Sequence, residues 1–456
     1  MTISNWFETP LSRRALLRRG AVAGGLVALA AACAAPANNS PQPSSGGAAA
    51  TPAASGSDSG PANLVLSSWN NPGDLDSFKK IADAYHTQHA NVSIDVQVTP
   101  SDNFDQWFGT RLAGGQAPDI MRIQYQQLGR YVQNGGLIDI SKYLPDNYAS
   151  QYLPTFWGSV QVNGGVYGIP EHTDTFATFY RTDVMQKIGI TPPDSLDKAW
   201  HWDEFIDIAR KVKAVTGQYA FGYGYSGANT AYRWLPLLYM HGGKLLADDF
   251  KAPAIDSPEG VSALEWTQNL YKEGLVPPNN TIKGSQSTTA RQYFIDGVIG
   301  MMLHGDWQLQ TLKTALKDTD WGVTFMIQDK GKASDLGGNA LAITKDAKNP
   351  KAAVDALLFI QNPQNTESFI TDNVYIPVLA SLAQKQIQYQ YRPDVMQRFV
   401  QQAGTVPQSM AKVETLPQFA DINLALADQL DLCITGQQTP AQTATAISDA
   451  VKKIMG

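Results

Sequence analysis

Five places in the chain group aromatic rings with polar or second aromatic side chains: Trp69 with Asn70, Arg122 with Tyr125, Asp174 with Phe176, Tyr232 with Trp234, and Asp306 with Trp307. Each falls at a turn or at the end of a strand candidate. A carbohydrate has a use for this combination. Its hydroxyls need directional donors and acceptors, while the C–H faces of its rings cover an aromatic plane. Any one of these rings alone is as well explained by core packing, and the grouping at turns is what points to a site. Pairs of carboxylates offer a second chemistry. Glu171 with Asp174, or Asp119 with Asp306, would suit glycoside hydrolysis if a cleft brought them together. The plainer reading is that each is an ordinary solvated acid.

Other chemistries lack their signatures. There is no Walker phosphate loop, Rossmann glycine fingerprint, HExxH or GxSxG, so nothing points to nucleotide use, zinc hydrolysis or α/β-hydrolase chemistry. The six histidines are dispersed. His86 and His89 share a helix face without a third ligand nearby and read as surface side chains rather than a metal pair. No metal or cofactor is implied.

The elements that must hold these residues follow from hydrophobic periodicity. Leu64–Leu66 reads as a short buried strand. Leu75, Phe78, Ile81, Ala82 and Tyr85 recur at helical spacing, and Val92, Ile94, Val96 and Val98 alternate. Strand, helix, strand predicts an α/β lobe with right-handed crossovers. A second helical stripe is Phe104, Trp107, Phe108 and Leu112. Thr175–Tyr180 and Gly300–Leu303 are strand candidates, Ala352–Ile360 is a helix, and the last 80 residues read as mainly helical. Trp202 and Phe205 share helical spacing with Ile206 and Ala209 and are expected in a core. Asp119, just before an apolar strand, suits a structural job on a local backbone donor. Cys433 falls in the apolar pattern Leu426, Leu430, Leu432, Ile434 and reads as a buried small side chain.

Length and charge bound the rest. The chain has 456 residues, 43% of them hydrophobic and 10% aromatic, enough for two or three globular units with real cores. A formal charge of -6 without a basic tract argues against a nucleic-acid partner. Arg13, Arg14, Arg18 and Arg19 precede the 12-residue weakly polar run Ala21–Ala32 and then Cys33. A basic segment, an apolar segment and a small-residue processing site make an export signal, too short for a spanning helix of about 20 residues. The paired arginines resemble twin-arginine export signals, and Ala30–Cys33 resembles a lipoprotein processing box with lipidation at Cys33. Loss of residues 1–32 removes four arginines and Glu8, leaving 31 basic and 40 acidic residues, a formal charge of -9. Residues 34–62 are rich in Ala, Ser, Gly and Pro with one charge, as a flexible tether reads.

Several motifs in order carry a family resemblance: GGQAPDI from Gly114, YGIP from Tyr167, FYRTDVMQKIGI from Phe179, WHWDEF from Trp200, GVIGMMLHGDW from Gly297, GGNALAITKDAKNPKAA from Gly337, and the terminal ITGQQTPAQTATAISDAVKKI from Ile434. Over nearly all of residues 63–456 the chain resembles the extracellular solute-binding proteins of bacterial ATP-driven importers, in the large family that binds sugars and includes maltose-binding proteins. The resemblance implies two α/β lobes closing over an interlobe ligand cleft, a periplasmic-binding-protein-like fold. It places an export signal at 1–32, the lipidated cysteine and linker at 33–62, one lobe at 63–171 plus 326–375, and the other at 172–325 plus 376–456. It further implies a binding protein rather than an enzyme, a monomer, held by lipid to the outer face of the cytoplasmic membrane and delivering a neutral mono- or oligosaccharide to membrane permease subunits. The alternatives are a secreted carbohydrate hydrolase, or the same fold serving a polyol or another small polar solute.

Position by position, the resemblance assigns Trp69, Asn70 and Asp74 to a first ligand-facing loop, and Arg122, Tyr125 and Gln126 to the segment after its Pro-Asp pair. Asp174 takes an acidic sugar-binding position, Tyr232 and Trp234 an aromatic wall, Trp307 a stacking position, and Gly337, Gly338 and Asn339 a loop approaching ligand through its backbone. Ile123 stands where the maltose-binding type has an aromatic residue and Gln126 where it has an acid, which counts against maltose-like specificity.

Overall fold

The computed structural model describes residues 61–456 except Asn70, Pro72, residues 101–103 and Ser287. The export segment, Cys33 and most of the spacer lie outside the described residues, as does Asn70. Eleven strands are introduced here in chain order: β1 Ala62–Ser68, β2 Val92–Val98, β3 Ile120–Gln124, β4 Gln161–Val162, β5 Gly165–Val166, β6 Ile169–His172, β7 Phe176–Arg181, β8 Phe221–Tyr223, β9 Met301–Gly305, β10 Trp321–Thr324 and β11 Asn339–Ile343.

The first sheet has the order β2-β1-β3-β11-β6. The expected strand, helix, strand opening forms it. β1 and β2 pair in parallel, joined by the helix Asp74–Gln88, whose Phe78, Ile81, Ala82 and Tyr85 are buried. β3 adds in parallel to β1, while β11 pairs antiparallel with both β3 and β6. Its central strands β3 and β11 are buried almost throughout and mostly apolar, as strands covered on both faces are, with Arg122, Gln124 and Asn339 the polar exceptions. The helix Phe104–Ala113 turns Phe104, Phe108 and Leu112 into the core.

The second sheet has the order β10-β7-β9-β8. Trp202 and Phe205 of the helix Trp202–Thr216 are buried beside it, as their spacing predicts. The helix Pro258–Lys272 starts on a Ser257 cap and packs against the two terminal helices, Phe419–Ile434 and Pro440–Met455. Cys433 is buried between them, and burial raises its thiol pKa. Among the described residues no helix is long and apolar enough to cross a membrane.

Three chain segments run between the sheets and lie side by side. Thr173 and Ile376 exchange backbone hydrogen bonds of 3.0 and 3.3 Å, and Gly337 donates to the Asp174 carbonyl at 3.1 Å. Met326, Ile327 and Ala333 pack in the core of the second sheet, and Gln328 bridges to His201. The chain beyond β10 thus packs beside the second sheet as far as Ala333 before it enters β11. Gly338 shows why the segments fit. Its φ is +98°, and a Cβ there would stand 2.3 Å from the His172 carbonyl oxygen.

Candidate functional site

Two arginines are buried near the crossing segments, and each organises its own set of acids. On β3, Arg122 has no exposed surface. Its Nη1 donates to Asp74 at 2.5 Å and its Nε to Glu171 at 2.7 Å. The guanidinium lies over Phe78, Phe369 and Tyr375. The Tyr375 hydroxyl donates to Asp74, and the His172 ring stacks on Tyr375 with centroids 4.0 Å apart. Burial opposes a charge on His172, but Asp174 and Glu171 outweigh it and push the imidazole up to about 9. Burial would likewise raise Glu171, yet Arg122 and His172 hold it below its ordinary value.

The second arginine, Arg233, lies in the turn Ala228–Trp234. Its Nη1 donates to the Gly224 carbonyl at 2.6 Å and its guanidinium lies over Trp307, 5.0 Å from the ring centroid. Among the described residues no carboxylate forms an ion pair with it; burial opposes its charge, but Tyr232 first, and then Asp335 and Asp174, outweigh burial and raise its pKa. Asp335 and Glu414 are fully buried, and neither oxygen of Asp335 has a hydrogen-bond partner. Glu414 accepts from Gln126 Nε2 at 2.9 Å through one oxygen and leaves the other unpartnered. Burial pushes Asp335 up to about 7 against the pull of Arg233. Glu414 is driven well up by burial and by Asp335, and Asp306 by burial and by Asp174.

Two half-buried tryptophans stand at strand ends, one beside each sheet. Trp69, half-buried at the end of β1, donates from Nε1 to Asn339 Oδ1 at 3.3 Å. Trp307, also half-buried, follows β9, and its indole folds back against Gly305, where a Cβ would stand 1.8 Å from the ring. Glycine at 305 therefore permits the position of Trp307. Gln126 and Asn339 come from the first lobe, Asp306, Trp307 and Arg233 from the second, and Asp174 and Asp335 from the crossing segments. The arrangement offers buried polar acceptors together with half-buried aromatic faces. Among the described residues no group of three or more His, Cys, Asp or Glu is placed to hold a metal ion.

The sequence profile described as bacterial extracellular solute-binding protein matches residues 80–425, more than half of the chain. The chain belongs to that family. A galactooligosaccharide-binding protein of Bacillus subtilis is 21% identical over 409 residues, covering 87% of this chain and 90% of its own. A maltotriose-binding protein of Pyrococcus abyssi is 23% identical over 335 residues, or 72% of this chain and 68% of its own. Among solved structures, the GacH receptor of Streptomyces glaucescens, determined unliganded and with acarbose, superposes with a TM-score of 0.73 at 21% identity, covering 86% of this chain and 98% of its own. An importer solute-binding protein of Thermotoga lettingae bound to alpha-D-tagatose gives 0.74 at 23% identity, covering 86% and 100%. These likenesses show the two-lobed fold.

Within this solute-binding protein the residues assigned from the sequence divide in two. Gln126 and Asp174 belong to the acidic cluster, Trp307 adjoins it through Arg233, and Trp69 and Asn339 are joined to each other by a hydrogen bond. Asp74 and Arg122 do not reach the cluster as free groups, because they are paired with each other in the first lobe. Tyr125 is fully buried and its hydroxyl donates to the His172 carbonyl. Trp234 is buried in the second core, its Nε1 donating to Thr267 at 2.9 Å. The aromatic wall expected of Tyr232 and Trp234 is thereby reduced to Tyr232, which is buried against Arg233. Gly338 faces the His172–Thr173 backbone. Asp119 is structural, but over a long range: its Oδ2 accepts from the Val65 amide at 2.9 Å, 54 residues away.

Sequence reasoning does not single out Arg233, Asp335 or Glu414. Arg233 stands between two residues that it does select, and the tight turn Ala228–Trp234 points their side chains to different places. Asp335 has a weak signal in the glycines that follow it. Glu414 has none, since only the packing of the short helix Gln408–Glu414 buries it.

Proposed function

We propose that this solute-binding protein captures a mono- or oligosaccharide outside the cytoplasmic membrane and delivers it to the permease subunits of an ATP-driven importer. The observation that carries the reading is the set of buried, unpartnered acceptors on Gln126, Asp174, Asp306, Asp335 and Glu414, beside the Arg233 guanidinium and the half-buried Trp307 it lies over. Sugar hydroxyls satisfy acceptors of this kind while the ring faces lie on indole. The similarity to a maltotriose-binding protein and a galactooligosaccharide-binding protein supports the same class.

Contacts to both lobes make closure a population shift: ligand gains more free energy in the closed arrangement than in the open one. No covalent step by this chain is needed, and ATP belongs to the importer. The protein works as a monomer of two discontinuous lobes, exported by the signal at 1–32 and held by lipid on Cys33 through the spacer to residue 62.

Untargeted mass spectrometry of ligand released from natively purified protein tests the substrate class without presuming it. Incubation with an oligosaccharide panel then separates capture from catalysis. Unchanged sugar bound in stoichiometric amount supports the reading, and accumulation of cleavage products overturns it in favour of a hydrolase. Calorimetry with polyols beside sugars decides between those two solute classes.

A further inference from the structure

The buried acidic and basic groups are unequal in number. Six carboxyl groups, Asp74, Glu171, Asp174, Asp306, Asp335 and Glu414, are accompanied by four basic groups, Arg122, His172, Arg233 and His304, and burial opposes a charge on the last. The first lobe is close to neutral: Arg122 and His172 stand against Asp74 and Glu171. The deficit falls on the Arg233 side.

Hydrogen bonding gives the same asymmetry independently of charge. Asp174 faces His172 Nε2 at 3.3 Å, and Asp306 lies against Asp174. Setting those two aside, the unpartnered buried atoms around Arg233 include Gln126 Oε1, both oxygens of Asp335 and Glu414 Oε1, while Arg233 itself offers Nε as an unpartnered donor. Gln126 is uncharged, buried and from the opposite lobe, so the acceptor surplus is a property of the cleft and not only of clustered acids. A hydroxyl brings one donor and also needs a donor in return. An ammonium brings three donors and accepts nothing.

We propose, resting on the sugar-capture reading above, that the physiological solute is an amino sugar or an aminated oligosaccharide whose ammonium sits among Asp335, Glu414 and Gln126. Arg233, held by the Gly224 carbonyl and the Trp307 face, bounds the site and supplies its one free donor to a ring oxygen or hydroxyl. In the free protein burial keeps protons on Glu414 and Asp306. An entering ammonium takes the place of such protons, so its binding releases them to the buffer.

The test compares glucosamine and galactosamine, and their short oligomers, with the N-acetylated and hydroxyl counterparts by calorimetry on the mature protein. The amine form is expected to bind about tenfold tighter or better than both counterparts, as a charge-assisted contact in a buried site should. Its enthalpy should vary with the ionisation enthalpy of the buffer. The preference should weaken below pH of about 7, where Asp335 takes up a proton. Asp335→Asn and Glu414→Gln should each lower the ratio of amine to neutral affinity by about tenfold, a readout that general loss of folding does not move. Equal or tighter binding of the neutral counterparts overturns the proposal, as does a natively captured ligand without a basic nitrogen; both leave sugar capture standing. Folded protein that binds and retains no saccharide of either kind overturns sugar capture as well.

Discussion

Arg122 and Arg233 are both buried, both lie over aromatic rings, and both stand near several acids, yet their surroundings differ in one respect. The acids around Arg122 close on it, with contacts of 2.5 and 2.7 Å to Asp74 and Glu171. Those around Arg233 do not, and Asp335 is left with two unpartnered oxygens. A buried ion pair that satisfies itself holds its own lobe together, because taking either partner away strands a charge. A buried set that does not satisfy itself costs stability in the free protein and is ready to be completed by a ligand. The difference separates scaffold from site more clearly than residue type does.

The sharpest way to break the comparison is to remove each arginine. Arg122→Met is expected to lower unfolding free energy by about 3–5 kcal/mol in urea titrations, since Asp74 and Glu171 are left uncompensated. Arg233→Met should cost distinctly less stability and more ligand affinity. Equal losses of stability would erase the distinction. The two tryptophans make a second pair. Trp234→Ala should cost about 3–5 kcal/mol of stability by emptying a core position. Trp307→Ala should leave the melting temperature nearly unchanged and weaken sugar binding by about 1–3 kcal/mol in calorimetry.

Smaller effects come from titration. Asp335 has its folded pKa raised from 3.8 to about 7, so between these values the folded state holds a proton that the unfolded state has lost. Stability of the ligand-free protein should therefore fall as pH rises through that window, and Asp335→Asn should flatten the fall in thermal scans. His172, raised from 6.5 to about 9, contributes stability that is fully present below 6.5 and lost as pH rises through about 9. His172→Gln should remove that second, alkaline slope. A profile unchanged by either variant would mean that the two groups titrate alike in folded and unfolded chains.

Legibility followed the range of the interactions. The helix face Phe78, Ile81, Ala82 and Tyr85, the alternation in β2 and the stripe Phe104, Phe108 and Leu112 are local periodicities, and the structure has those elements. The family motifs carried the architecture further than periodicity alone, to two lobes. The linear reading put Trp69 and Trp307 at strand ends beside turns, and the structure has both there, half-buried. It was misleading at Arg122 and Asp74, which look like ligand contacts in a linear reading and are spent on each other. Glu414 was invisible, because a lone acid in a short helix has no local mark of burial.

By itself the sequence determined the elements available: aromatic and polar residues at turns, α/β periodicity, a basic then apolar N-terminal stretch and a single cysteine beyond Cys33. Only the tertiary structure decided which charges are neutralised. Pairing of buried charges depends on distances of a few ångströms between segments far apart in the chain, such as Arg122 with Glu171 or Gln126 with Glu414. Neither composition nor spacing encodes those distances, since each is set by how two sheets and three crossing segments pack.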